Sequence, residues 1–183
     1  MRYISTLAFV VWLTAGAGQA QEVGEEQLLR PLAEAGIADA QFRLGQIYYK
    51  GSGVPQDYSE ALHWFGQAAE QGYPAAQTNL GAMYYYGYGA PKDFKEAEFW
   101  FRKSAEQGFP AGHNHLGQLY FEGQGVDRYL VKAHTHLNIA CALGYRLGCK
   151  NRDTVSTIMT PADISEAQRR ARVCMESDYK DCD

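Results

Sequence analysis

The residues Ala40–Tyr49 read AQFRLGQIYY, and the residues Ala76–Tyr85 read AQTNLGAMYY. A looser third copy, GHNHLGQLYF, occupies Gly112–Phe121 after the same interval of 36 residues. Glycines recur with the same period, at Gly36, Gly72, Gly108 and Gly144 and, in a second series, at Gly45, Gly81 and Gly117. A fixed period of this length is typical of a solenoid, in which each unit buries its apolar face by stacking on its neighbours.

Each period predicts two helices. The first covers about Pro74–Tyr86, where apolar residues recur at helical spacing, and it ends at the glycines and the proline of Gly87–Pro91. Asp93 followed three residues later by Glu96 has the pattern of a capping box, which opens the second helix. Gly108 ends that second helix.

Two further features of the period bear on packing. Gly81 lies inside a first helix, where glycine costs about 1 kcal/mol relative to alanine, so we expect the paired helix to approach closely there. Trp64 and Trp100 occupy equivalent positions of the second helix, and we expect both to be buried. Asp57 and Glu60 repeat the capping box one period earlier.

The first twenty residues have the features of a secretory signal. A basic Arg2 precedes the apolar run Ile4–Ala15, and Gly18–Ala20 supplies small residues for cleavage after Ala20. The alternative is a retained membrane anchor, but the run is too short to span a bilayer and no second apolar span follows it. We therefore expect a periplasmic or secreted protein, and the net charge of −4 without a basic stripe argues against nucleic-acid binding.

All four cysteines lie near the C-terminal end, as Cys141 and Cys149 and as Cys174 and Cys182. An even count behind a secretory signal indicates disulfides, for which three pairings are possible. The repeat register places Cys141 near the end of one helix and Cys149 early in the next, across a turn at Gly144. This favours Cys141 with Cys149 and, by elimination, Cys174 with Cys182. The rival is a four-thiolate metal site, whose usual spacing is different.

The stretch Ala40–Gly72, AQFRLGQIYYKGSGVPQDYSEALHWFGQAAEQG, resembles the Sel1-like repeat, a relative of the tetratricopeptide repeat with a longer loop between its helices. Ala76–Gly108 matches this pattern almost as fully. Gly112–Gly144 is a looser match, with Asp127 in place of proline and His136 in place of tryptophan. The paired cysteines, eight residues apart across a repeat boundary, resemble the cysteine-rich branch of that family.

The resemblance implies an all-α fold, a right-handed α/α superhelical solenoid of helix pairs. It also implies a scaffold that binds proteins or peptides, with no enzymatic activity and no cofactor, and we expect a monomer. The predicted organisation is a signal peptide (1–20), a partial repeat with one N-terminal helix (21–36), three repeats (37–72, 73–108 and 109–144), and a degenerate capping repeat with a tail (145–183).

A helical projection places one stripe of side chains opposite the apolar face of each first helix. In a solenoid of this kind the first helices line the concave surface, so we predict that the stripe binds the partner. An alternative, which stays open here, is that its aromatic residues only pack against the next repeat. The predicted binding residues are Phe42, Gln46, Tyr49, Thr78, Ala82, Tyr85, Asn114, Gln118 and Phe121.

Residues that could carry chemistry form weak patterns. His113 and His115, like His134 and His136, are two apart and point in different directions on a helix, so we predict no metal site. His136 also occupies the position of Trp64, which core packing explains.

The cysteine-rich branch of the resembled family has been associated with β-lactam binding and hydrolysis, which gives the alternative function. A serine nucleophile for that reaction needs an S-x-x-K motif with S-D-N and K-T-G elsewhere. Only Ser177–Lys180, reading SDYK, fits the first pattern, and the other two are absent. We therefore predict no catalytic residues.

Overall fold

The computed structural model describes residues 24–123, 125, 129–180 and 182, and every regular element within them is an α-helix. The predicted signal segment lies outside the described residues. Neighbouring helices pack along the chain, and the pairs α2–α3, α4–α5 and α6–α7 make the most extensive contacts. The predicted all-α solenoid is therefore confirmed. The helices are α1 (Glu25–Glu34), α2 (Ala38–Lys50), α3 (Tyr58–Glu70), α4 (Pro74–Tyr86), α5 (Phe94–Ala105), α6 (Pro110–Glu122), α7 (Leu130–Ala142), α8 (Arg146–Ser156) and α9 (Pro161–Glu176).

None of the helices in these ranges combines the length and the apolar character needed to cross a membrane.

The first helix of each pair ends on a left-handed glycine, a conformation that glycine adopts without the steric cost of a Cβ atom. These glycines are Gly51 (φ 70°), Gly87 (φ 77°) and Gly123 (φ 68°). The loop is then held by one repeated backbone hydrogen bond. It runs from the N–H of Asp57, Asp93 or Tyr129 to the carbonyl of Tyr48, Tyr84 or Tyr120, at 3.0 to 3.1 Å.

The predicted capping boxes form only in part. The Asp57 carboxylate accepts from the backbone N–H groups of Ser59 and Glu60, at 2.9 and 3.0 Å. The predicted reciprocal hydrogen bond, from the Asp57 N–H to the Glu60 carboxylate, was wrong, because that N–H donates to the Tyr48 carbonyl. Glu60 instead accepts from the indole of Trp64, at 3.1 Å.

The glycine inside each first helix permits the predicted close approach. A Cβ atom added to Gly45 would lie 2.6 Å from a ring carbon of Phe65, and one added to Gly81 would lie 2.8 Å from Phe101. Both phenylalanines are fully buried. An alanine at either glycine would collide with the buried phenylalanine ring of the paired helix. This close contact explains why glycine occurs inside these helices.

The core is divided among the interfaces of successive helices. Trp64 is buried against the α1–α2 pair, beside Leu29 and Leu44. Trp100 is only half-buried, at the edge of the cluster around Phe65, and so the prediction that both tryptophans are buried was wrong for Trp100.

Two disulfides lie near the C-terminal end of the chain. Cys141 is joined to Cys149 with Cα atoms 4.5 Å apart, and Cys174 is joined to Cys182 with Cα atoms 4.4 Å apart. The structure therefore contains both predicted pairs. Helix α9 packs through Ala167 and Ala171 on α7, and its arginines point outward.

Candidate functional site

Two of the nine predicted binding residues are not on a surface. Thr78 is buried, and its hydroxyl lies 2.8 Å from the hydroxyl of Ser104 in the paired helix α5. Asn114 is fully buried, and its side-chain oxygen accepts from the Asn151 amide at 3.0 Å. Their display on a concave face was therefore wrong. Both side chains make hydrogen bonds between helices, although the buried amide nitrogen of Asn114 has no hydrogen-bond partner in the described part of the chain.

The aromatic members of the predicted stripe are half-buried and contact neighbouring helices. Phe42 packs on Phe65 and on Tyr73, with ring centroids 5.8 and 4.9 Å apart. Tyr85 and Phe121, like Ala82, pack against the cluster of α5, α6 and α7. These rings therefore contribute to packing between repeats and retain an accessible side, and their role in binding remains a prediction.

Five tyrosines from the end of α2, the start of α3, the end of α4 and the loop after α4 form one continuous group. This group, here called the tyrosine cluster, consists of Tyr49, Tyr58, Tyr85, Tyr86 and Tyr88. The rings of Tyr58 and Tyr88 are stacked, with centroids 4.7 Å apart and planes 10° apart. Tyr86 also stacks on Tyr88, with ring centroids 5.6 Å apart, and is 45% exposed. In the described part of the chain, no protein group hydrogen-bonds the Tyr58, Tyr86 or Tyr88 hydroxyls. The cluster thus offers both ring surface and hydroxyl groups.

One polar member of the stripe, Gln118, lies beside this cluster. Gln118 donates to the Glu122 carboxylate at 2.9 Å, and that carboxylate also accepts from the Tyr85 hydroxyl. Burial and the Glu122 carboxylate raise the pKa of Tyr85. Gln46 lies in a separate shallow depression with Arg43 and Lys50.

A repeated side-chain hydrogen bond, here called the glutamine clasp, links successive units and was not predicted from the sequence. The side-chain amide of Gln41 donates to the Ala33 carbonyl at 3.0 Å, and that of Gln77 donates to the Ala69 carbonyl at 3.1 Å. Gln107 in turn donates to the Gln77 side chain at 2.8 Å. The equal spacing of the two glutamines was the available sequence signal, although their side chains looked like ordinary core-edge residues.

A second polar network recurs at every other unit. Arg30, Glu26 and Tyr48 are mutually hydrogen-bonded, with the Arg30–Glu26 contact at 2.6 Å. The same three residue types, Arg102, Glu98 and Tyr120, repeat the arrangement 72 residues later, at 2.7 to 3.1 Å. In the unit between them these positions hold Gly66, Leu62 and Tyr84, so the network is absent there.

Two histidines from different helices meet in the third repeat. The Nδ1 atoms of His113 and His136 are 3.1 Å apart, and both residues line a cavity of about 130 Å³ below Tyr179 and Cys182. Burial lowers the pKa of His113 to about 4, so this imidazole is neutral at pH 7. The residues described include no cluster of three or more histidine, cysteine or acidic side chains suited to a metal ion.

Ser177 and Lys180 are not arranged as a helical S-x-x-K pair. Ser177 caps the end of α9, and its hydroxyl donates to the Cys174 carbonyl at 2.9 Å. The two residues between them, Asp178 and Tyr179, have φ of 55° and 63°, outside the right-handed helix. The serine and the lysine therefore do not share a helical turn.

The fold and the repeated surface define a solenoid of stacked helix pairs, a class of protein that presents long binding surfaces. The model of the Sel1 repeat matches residues 38–73, 74–109 and 110–145. The chain therefore belongs to the Sel1 repeat family.

Two solved structures are similar to this chain. The first is c5321, described as a protective antigen present in uropathogenic Escherichia coli strains and displaying an SLR fold. It is 27% identical with a TM-score of 0.64, and the match covers 89% of this chain and 44% of that one. This chain thus spans less than half of that protein. The second is a Sel1 repeat protein from Oxalobacter formigenes, 36% identical with a TM-score of 0.61, covering 69% of this chain and 95% of that one. No curated protein matches the chain.

Proposed function

We propose that this protein is a scaffold that binds a protein or peptide partner outside the cytoplasm, in the cell envelope or the secretory space. The Sel1 repeat family supports a role in protein–protein interaction. The two disulfide pairs support an oxidising compartment, because reducing conditions keep cytosolic thiols free. The binding surface is the tyrosine cluster together with the accessible sides of Gln46, Phe42, Ala82, Gln118 and Phe121.

The observation that carries the proposal is the tyrosine cluster. Tyrosine is enriched at binding interfaces because its ring supplies large contact area and its hydroxyl supplies a hydrogen bond. In this cluster Tyr86 is 45% exposed, and its ring stacks on Tyr88, which also stacks on Tyr58. A partner that covers Tyr86 would remove apolar surface from water without disturbing the helices.

Site-specific crosslinking tests this surface. A photoreactive amino acid replaces Tyr86 in the full chain, and a matched variant carries it at Phe99, an aromatic residue that is 48% exposed on the second helix α5. We expect a defined protein to be crosslinked in the envelope fraction from position 86 and not from position 99.

The captured protein is then purified, and its affinity is measured by calorimetry. Tyr86→Ala should weaken binding by about tenfold or more, as loss of an anchor residue does, while Phe99→Ala should leave it unchanged. Equal effects of the two variants, or crosslinking from position 99 alone, would contradict the proposed surface.

A further inference from the structure

A cavity in the third repeat lies where the repeat register places a tryptophan side chain in the first repeat. Trp64 is buried there beside Ala33 and Leu44. The residues that follow these three by 72 positions all line the cavity of about 130 Å³ described above, and they are His136, Ala105 and Leu116. Histidine thus replaces the tryptophan, and the space of the larger indole side chain is left as a cavity.

The size of this cavity suits one aromatic ring. In the second repeat the tryptophan is retained as Trp100, which packs against the cluster that contains Ala69 and Leu80. An imidazole is one ring smaller than an indole, so its presence in the third repeat leaves room for a ring. A cavity of about 150 Å³ holds a benzene molecule, and this one measures about 130 Å³.

Three aromatic rings contribute to the walls of the cavity. The ring centroid of His113 lies 5.3 Å from that of His136 and 5.6 Å from that of Tyr179. Gly108 admits the Tyr179 ring, because a Cβ atom there would lie 2.5 Å from it, whereas the equivalent Gly72 faces open space. Rings at these separations suit aromatic contacts, and so a ring-shaped ligand meets surfaces of its own kind.

One buried nitrogen of the lining has no partner. His113 is 1% exposed, and its Nδ1 atom lies 3.1 Å from that of His136, whereas its Nε2 atom makes no hydrogen bond within the described part of the chain. Burial lowers the pKa of His113 to about 4, so the ring is neutral at pH 7. A buried polar atom without a partner is costly, and a ligand that pairs with it recovers this cost. A hydroxyl group suits either tautomer of a neutral imidazole, because it both donates and accepts.

The charged residues of the lining do not select a charged ligand. The Arg102 guanidinium already donates to the Glu98 carboxylate and the Tyr120 hydroxyl, at 3.1 and 2.8 Å. Glu106 and Lys180 carry opposite charges and are exposed, so this side of the cavity is open to solvent. A neutral ligand enters there without burying an uncompensated charge.

We propose that the third repeat binds a small phenol, a neutral single-ring molecule with one hydroxyl group, in this cavity. The ring of the ligand takes the place of the indole, and its hydroxyl group pairs with the Nε2 atom of His113. So small a ligand binds weakly, and we expect a dissociation constant of about 1 mM or below for phenol itself. The site is separate from the tyrosine cluster and does not depend on the protein partner proposed above.

Calorimetric titration of the full chain, exported and oxidised by the expression host, measures this affinity. Two matched probes separate the ring from the hydroxyl group, since benzene lacks the hydroxyl group and cyclohexanol lacks the aromatic ring. We expect both to bind at least about fivefold more weakly than phenol. NMR of ¹⁵N-labelled histidine locates the site, because phenol should shift the His113 Nε2 resonance and leave that of the exposed His63 in place.

Two variants restore residues of the earlier repeats and test the cavity directly. His136→Trp fills the cavity with the side chain found at Trp64, and it should weaken phenol binding by about tenfold or more. His113→Gln restores the residue found at Gln41, and it should remove the preference for phenol over benzene. The matched control, His63→Gln, should leave phenol binding unchanged.

The proposal is overturned if phenol does not bind up to about ten times the expected constant. It is also overturned if folded His136→Trp binds phenol as tightly as the wild type. Should His136→Trp fail to fold, the histidine resonances of the wild type decide. A phenol titration that shifts the His113 Nε2 resonance then supports the site, and one that leaves it in place overturns it.

Discussion

At the scale of single residues, two positions eight apart fasten each unit of this solenoid to the next. The earlier position holds Ala33, Ala69, Ala105 and Cys141, and the later one holds Gln41, Gln77, His113 and Cys149. In the first two units the link is the glutamine clasp, and in the last unit it is a disulfide. Equivalent positions therefore carry either a side-chain hydrogen bond or a disulfide, according to the residue pair.

The glutamine clasp predicts a stability cost at Gln77. Gln77→Leu keeps the side-chain size but leaves the buried Ala69 carbonyl and the Gln107 amide without this partner. Because the Ala69 carbonyl still accepts from the Gly72 N–H, we expect the free energy of unfolding to fall by about 1 kcal/mol, the net contribution of one hydrogen bond, measured by urea denaturation. Gln46→Leu is the control, because this side chain lies on a surface depression, and it should change stability by less than about 0.5 kcal/mol. Equal effects would show that the clasp is not stabilising.

His113 predicts a dependence on pH. Its folded-state pKa of about 4 lies below the ordinary value of 6.5, because burial disfavours the charged ring. The unfolded chain thus binds this proton at a higher pH than the folded chain. The contribution of the neutral His113 ring to the free energy of unfolding is complete above about pH 6.5, and it is lost as the pH falls towards 4.

His113→Gln tests this, since it restores the residue found at Gln41 and Gln77. The free energy of unfolding of this variant should fall less steeply than that of the wild type between pH 6.5 and 4. A variant at position 113 with an unchanged slope would mean that other groups control the acid response.

At the scale of helices, the loops between paired helices have the same geometry in the first two repeats. A left-handed glycine ends the first helix, and an aspartate caps the second while its own N–H returns to a tyrosine carbonyl. Asp93→Ala removes the acceptor of two N–H groups, those of Lys95 and Glu96. We expect a loss of about 1 kcal/mol in the free energy of unfolding.

Glu96→Ala is the control for this cap. If the capping box were complete, the two substitutions would lower the free energy of unfolding by similar amounts. Because the N–H of Asp93 is already donated to Tyr84, we expect Glu96→Ala to cost less than half as much. A larger loss from Glu96→Ala than from Asp93→Ala, in the same urea titrations, would contradict the observed loop geometry.

The helices also explain which features could be predicted. Gly81 and the Cys141–Cys149 pair follow from the period, because equal spacing places equivalent residues at equivalent contacts. The Cys174–Cys182 pair then follows by elimination. Thr78 and Asn114 could not be placed from one helix alone. A projection around a single axis separates an apolar face from its opposite, whereas a helix inside a solenoid is contacted by its pair and by neighbouring units. Trp100 is less buried than Trp64 although both occupy one register position.

At the scale of the whole molecule, the first and last described helices differ in how they are held. The last helices are fastened by two disulfides, whereas α1, the first helix that the structure describes, exposes Leu28 and Leu32. Repeat arrays of this kind are stabilised mainly by contacts between neighbours, so a local change acts locally. The disulfides should therefore protect the last helices more than the first repeats.

Reduction of the purified protein tests this local action. Each disulfide closes a short loop, for which chain entropy predicts about 2–3 kcal/mol of stabilisation. After reduction and alkylation, we expect faster amide hydrogen exchange in α8 and α9, which the two bonds fasten, and little change in α2 to α5. Cys141→Ala with Cys149→Ala should reproduce the change in α8. Cys174→Ala with Cys182→Ala should affect the end of α9 and the tail that covers His113. Uniform acceleration across all repeats would mean that the molecule unfolds as one cooperative unit, and the nearest-neighbour account of its stability would then be wrong.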